Sequence, residues 1–110
     1  MNKLILFVML LALNNNANAE PRLADYQKVK NENWFMPYIS GVSSGYSWAN
    51  AFLRSDNKQP LFCNPSKVPM NALNYADLLD TYIHDHPGLA ADIPIDLILG
   101  KALVEAFPCK

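Results

Sequence analysis

The chain is 110 residues long, 51% apolar and 17% charged, with a formal net charge of −1 at neutral pH. That length holds one domain rather than two. Its slight acidity argues against nucleic acid as a partner, because phosphate binding needs clustered Lys and Arg.

Residues 1–19 read as a secretory signal peptide. Lys3 gives a positive start, Leu4 to Leu13 is an unbroken apolar run, and Asn14-Asn15-Asn16 leads into the small-x-small site Ala17-Asn18-Ala19. Such a run makes a helix of about 15 Å, against roughly 30 Å of hydrocarbon in a bilayer, so it is too short for an anchor. Cleavage after Ala19 is expected, with export to the periplasm and a domain covering residues 20–110. Without Lys3, 8 basic side chains face 10 acidic ones.

Glu20 to Asn33 is polar, with Leu23, Tyr26 and Val29 spaced like a short helix. From Trp34 the pattern strengthens. At 100° per residue Phe35, Tyr38, Ile39, Val42, Tyr46, Ala49, Phe52 and Leu53 fall on one side, and Ser40, Ser43, Ser47, Asn50 and Arg54 on the other. This predicts an amphipathic helix of about five turns. Pro37 either sits in its first turn or kinks a longer helix begun near Leu23. Gly41 and Gly45 lie four apart on its flank, where a neighbouring backbone could approach closely. Trp48 lies beside Gly41, Ser44 and Ala51, off the aromatic side. It is either the edge of the core or the anchor of a helix-to-helix contact between subunits.

"RSDNKQP", Arg54 to Pro60, reads as an exposed loop, and "FCNPSKVP", with its two prolines, as extended chain. The next helix is predicted from about Asn71 to His86. It buries Ala76, Leu79, Tyr82 and Ile83 and shows Asp77, Asp80 and His84 on its opposite face. "HDHPG", His84 to Gly88, stops it. The last helix is expected over Leu89 to Phe107, or from Pro94 with Asp92 as its cap. Leu89, Ile93, Leu97, Leu99, Ala102, Leu103, Val104, Ala106 and Phe107 wrap most of the way round it, leaving Pro94, Lys101 and Glu105 as a polar wedge. Such a helix belongs at the centre. No segment reads as a strand. The expected class is all-α, a small bundle of three to four helices.

The chain has two cysteines, Cys63 and Cys109. In an oxidising compartment a pair of this kind in a small domain forms a structural disulfide. Closing a loop of about 46 residues stabilises the fold by roughly 4 kcal/mol in the chain-entropy model.

The remaining chemistry is sparse. His84 and His86 flank Asp85, but residues two apart on a helix point in different directions, and zinc wants a third and fourth ligand. His84 is expected to pair loosely with Asp80 one turn earlier. The serines of "SGVSSGYS" fall outside any G-x-S-x-G elbow. Neither a catalytic group, a metal nor a cofactor is expected, and the chain reads as a protein that acts by occupying a surface. The exposed residues offered for that role are Arg54, Asp56 and Lys58 in one segment, and Asp77, Asp80, His84 and Asp85 in another. Gly41, Ser44 and Trp48 are offered for a symmetric homodimer contact.

Four segments carry a resemblance: "YISGV" at Tyr38 to Val42, "FCNP" at Phe62 to Pro65, "HP" at His86-Pro87 and "KALVEAFPC" at Lys101 to Cys109. With the spacing between them, the chain resembles the Rap/Tai family of bacterial immunity proteins. The resemblance implies a small, exported, disulfide-bonded helical domain that binds and inhibits a peptidoglycan amidase effector of type VI secretion. Where the family opens its second helix with Thr followed by Gln, this chain has Pro69 and Ala72. The resemblance therefore carries scaffold rather than target. Two other classes stay open. One is an exported, phage-encoded or envelope binding module acting on lysis or envelope proteins. The other is a small acid-stress chaperone, against which the low charged fraction weighs.

Overall fold

A computed structural model describes residues 20–65 and 69–110; the expected signal peptide, residues 1–19, lies outside them. Leu23–Asp25 forms a 3₁₀ turn that runs into the short helix α1, Tyr26–Val29. Three longer helices follow: α2 (Phe35–Ser55), α3 (Ala72–Asp85) and α4 (Ile95–Ala106). Among the described residues the β pairing is a single isolated bridge, Arg22 to Pro94. The fold is all-α.

α2 begins beside Trp34, whose carbonyl takes the first turn's bond from the Tyr38 N–H at 3.0 Å. Pro37 is the third helical residue, where a missing N–H costs nothing because the first four have no partner within the helix. The longer, kinked helix does not form. At the other end Asn57 takes a left-handed conformation (φ 57°), and the Lys58 N–H folds back onto the Leu53 carbonyl at 2.8 Å. Together with the Asn57 N–H on the Arg54 carbonyl, this is a Schellman closure. "RSDNKQP" is therefore an ordered helix terminus more than a free loop.

The face of α2 turned to the core differs from the predicted one. Its buried residues are Phe35, Ile39, Ser43 and Asn50, so two side chains expected outside lie inside. Phe52, expected inside, is 67% exposed. The reason is what lies opposite: chain 61–62 runs along α2 and presents backbone groups to Asn50, which turns Phe52 to solvent.

α3 opens on a reciprocal capping box. The Asn74 N–H donates to the Asn71 side chain and the Asn71 N–H to the Asn74 side chain, each at 3.0 Å. Tyr75 and Leu79 are buried, with Ala76, Tyr82 and Ile83 half-buried against the core.

α4 starts at Ile95 with Pro94 as N-cap, and Asp92 does not cap it. The N-terminal segment occupies that place instead. The Ile95 N–H donates to the Pro21 carbonyl and the Leu23 N–H to the Ile93 carbonyl, both at 2.9 Å, and the Arg22 guanidinium reaches the Asp92 carbonyl at 2.6 Å. α4 packs against both α2 and α3 and is the central helix, with Ile95, Ile98, Leu99 and Leu103 at 0% exposure. Each such side chain contributes about 1.5–3 kcal/mol through burial.

Cys63 and Cys109 are bonded, with Cα atoms 5.0 Å apart, in the ordinary range for a disulfide. The Cys63 N–H donates to the Phe107 carbonyl at 2.8 Å, so backbone and sulfur pin the same two segments together.

Candidate functional site

Asn50 fixes the geometry of the surface beside α4. Its Nδ2 donates to the Phe62 carbonyl at 3.0 Å, and its Oδ1 accepts from the Leu61 N–H at 2.8 Å. One carboxamide thus pairs with a backbone edge as a strand would. It buries Phe62 to 1% and leaves Leu61 48% exposed.

Between this edge and α4 lies an apolar trough of about 420 Å³. Gly100 forms its floor, Tyr46, Phe62 and Tyr82 its walls, and Leu61, Leu97 and Val104 its apolar rim. Lys101 and Glu105 supply one cation and one anion at the lip. The Tyr46 hydroxyl donates to the Asp96 carbonyl at 2.8 Å, which draws its ring across Gly100. A Cβ at position 100 would run into that phenol. Burial, and then the Asp96 carboxylate, raise the Tyr46 hydroxyl above its ordinary value. The trough offers apolar contact flanked by two charges, a makeup suited to a partner's apolar side chains.

Leu97 and Val104 were expected within the apolar wrap of a central helix, but each is 47% exposed. Their signal lay in the spacing: they are seven apart with Lys101 between them, so they share its outward face. Asn50 had no such signal, because its burial depends on chain 61–62.

The residues offered for partner contact are all exposed, and they form two sets. Arg54 lies in the last turn of α2, with Asp56 its C-cap and Lys58 in the closure beyond. Asp77, Asp80, His84 and Asp85 lie on α3. Among the described residues no hydrogen bond or ion pair joins the two sets. Within the second set, His84 does not pair with Asp80; its Nδ1 lies 3.4 Å from Asp85. Asp80 instead accepts a 2.7 Å hydrogen bond from the Tyr26 hydroxyl and ties α1 to α3. Burial first, then that bond, and then the Asp80 and Asp77 charges raise the Tyr26 hydroxyl well above its ordinary range.

His86 is structural in its contacts. Its ring stacks on Tyr82 with centroids 3.8 Å apart, Nδ1 donates to the Tyr82 carbonyl at 2.8 Å, and Nε2 lies 3.4 Å from Glu105 on α4. Among the described residues no three His, Cys, Asp or Glu side chains converge as a metal site.

Gly41, Ser44 and Trp48 share the outer side of α2, and all three are exposed. At 63% exposure Trp48 is no core edge. No described backbone approaches Gly41 or Gly45 within the chain. No protein-family model, curated protein or solved structure matches the chain.

Proposed function

We propose that the protein is a periplasmic immunity protein that binds and inhibits a peptidoglycan amidase effector of type VI secretion. The observation that carries this reading is the joining of "FCNP" to "AFPC" by the Cys63–Cys109 disulfide and the Cys63 N–H to Phe107 carbonyl bond. Those two segments carry much of the resemblance to the Rap/Tai family, and their meeting gives a rigid scaffold. An inhibitor that acts by covering a cleft gains from such rigidity, because less conformational freedom is lost on binding.

In this reading residues 1–19 direct export and are removed, and the exported protein is a homodimer. His84 and Asp85, at the exposed end of α3, enter a hydrolase cleft with positively charged rims. Arg54, Asp56 and Lys58 add contacts at the edge. Inserted residues govern dissociation, whereas rim charges act on association rate and salt dependence. Replacing Asp85 should therefore shorten the lifetime of the complex, and replacing Lys58 should barely change it.

The test is co-expression with the secreted hydrolases encoded beside this gene, read as protection from lysis and as pull-down. Protection together with capture supports the reading. If no hydrolase is bound or inhibited, it falls. Capture of lysis or envelope proteins would then favour the envelope-module class, and suppression of aggregation of unrelated proteins at acidic pH the chaperone class.

A further inference from the structure

The last four carbonyls of a helix have no partner within it, so an unsupported end frays. α3 ends at Asp85, and its final turn carries His84 and Asp85, both exposed. His86 alone meets two of those four carbonyls. Its N–H donates to the Ile83 carbonyl at 3.3 Å, and its ring Nδ1 to the Tyr82 carbonyl at 2.8 Å. Pro87 follows, and a residue before proline is turned away from helical conformation, so α3 stops here.

The ring does more than cap the helix. It lies flat on Tyr82, with 19° between the ring planes and centroids 3.8 Å apart. Tyr82 is itself packed against the core. The other ring nitrogen, Nε2, faces the Glu105 carboxylate of α4 at 3.4 Å. Asp85, His86 and Glu105 border one depression of about 270 Å³ between the two helices. The end of α3 is thus held by a carbonyl of its own, by an aromatic face and towards the central helix. The end of α2 is the contrast, because it closes on its own backbone around Asn57. Among the described residues no side-chain hydrogen bond or ion pair joins Arg54, Asp56 or Lys58 to another helix.

We infer that His86 is a positioning residue for the partner contact: it holds the final turn of α3 against α4, so that Asp85 meets the hydrolase in one preset place. The inference rests on the reading in which Asp85 enters a hydrolase cleft, and it names the residue through which that carboxylate is fixed. A side chain ordered only on binding loses part of its binding free energy to the ordering. In a capped and stacked turn that ordering is complete on folding. His86 therefore acts through Asp85 and touches no part of the hydrolase itself.

Two measurements test this. His86→Phe keeps a ring to stack but loses both nitrogens. In the free exported protein it should quicken hydrogen exchange about tenfold at the Ile83, His84 and Asp85 amides, as the loss of roughly one hydrogen bond implies. Protection at Ile98, Leu99 and Leu103 of α4 should stay as it is. Glu105→Ala, an exposed truncation, should quicken the same three amides and decides the matter should His86→Phe fail to fold. The second measurement is dissociation of the complex with the secreted hydrolase encoded beside this gene. His86→Phe should speed it about tenfold, and should lose that effect where Asp85→Ala is already present. Unchanged exchange in both variants, or an equal rise throughout α4, overturns the inference whether or not a hydrolase binds. So does a His86→Phe effect that persists beside Asp85→Ala. An unaltered protein that binds no hydrolase overturns the immunity reading, and with it the role of His86, even where exchange responds.

Discussion

A carboxamide is tolerated in a protein interior only when its donors and acceptors are met, and Asn50 meets both of its obligations on the backbone of residues 61–62. Asn50→Ala leaves an N–H and a carbonyl without their partner, at about 1–3 kcal/mol for each group that stays buried. Urea unfolding should show a loss of at least about 2 kcal/mol; an unchanged midpoint would mean that something else holds the segment. Tyr38 poses the opposite case, a buried hydroxyl with no hydrogen-bond partner among the described residues. Burial, and then the carboxylates of Asp96 and Glu20, push it up to about 12, with the nearby Asp96 backbone opposing the rise. The folded state therefore holds this proton more tightly than the unfolded chain, whose tyrosines titrate near pH 10. That contribution to stability is complete below about pH 10 and is lost as the pH rises towards about 12. Tyr26 and Tyr46 shift in the same direction. Thermal midpoints should fall through this alkaline range, and Tyr38→Phe should make the fall shallower without destabilising the protein at neutral pH. A steeper fall in that variant would contradict the assignment.

At the scale of elements, the disulfide ties the segment after α2 to the end of α4 across 46 residues. Cys109→Ser should lower stability by about 2–5 kcal/mol, with the loss visible in the denaturant midpoint of the oxidised protein but not after reduction. This staple was legible in advance, because two cysteines in an oxidising compartment leave one pairing. The helices were legible too, through the apolar spacing of α2 and α3 and the turn residues between them. Their facing was less so. Hydropathy scores a side chain by itself, whereas burial depends on what comes to lie opposite it. Asn50 is inside because extended chain runs past it, and Phe52 is outside because nothing described covers it. Asp92 resembles a cap, yet the segment around Arg22 takes the carbonyls of Asp92 and Ile93 and lets α4 begin at Ile95. The trough was least legible, being assembled from α2, chain 61–62, α3 and α4. Periodicity within one helix says little about how four such pieces approach.

For the molecule as a whole, no described helix is long and apolar enough to cross a membrane. Mass spectrometry of exported material should find a chain that begins at Glu20 and is two hydrogens lighter than its reduced form. A chain retaining residues 1–19, or one in which both thiols react with a thiol reagent, would refute the export reading or the oxidised state respectively. The molecule also presents two apolar surfaces, the exposed Trp48 and Phe52 on α2 and the trough beside α4. The meeting of Tyr46 with Gly100 has a consequence for how such a chain can change over generations. An added carbon at position 100 is blocked while the phenol lies across it, and a smaller residue at 46 opens a gap over an unchanged glycine. Each step alone is penalised, and the two together cost less than their sum, so the effects should be non-additive. Among descendants that keep this fold, an aromatic residue at 46 should travel with glycine at 100, and alanine at 100 with a residue smaller than tyrosine at 46. Lineages mixing these combinations freely would show that the contact is slack.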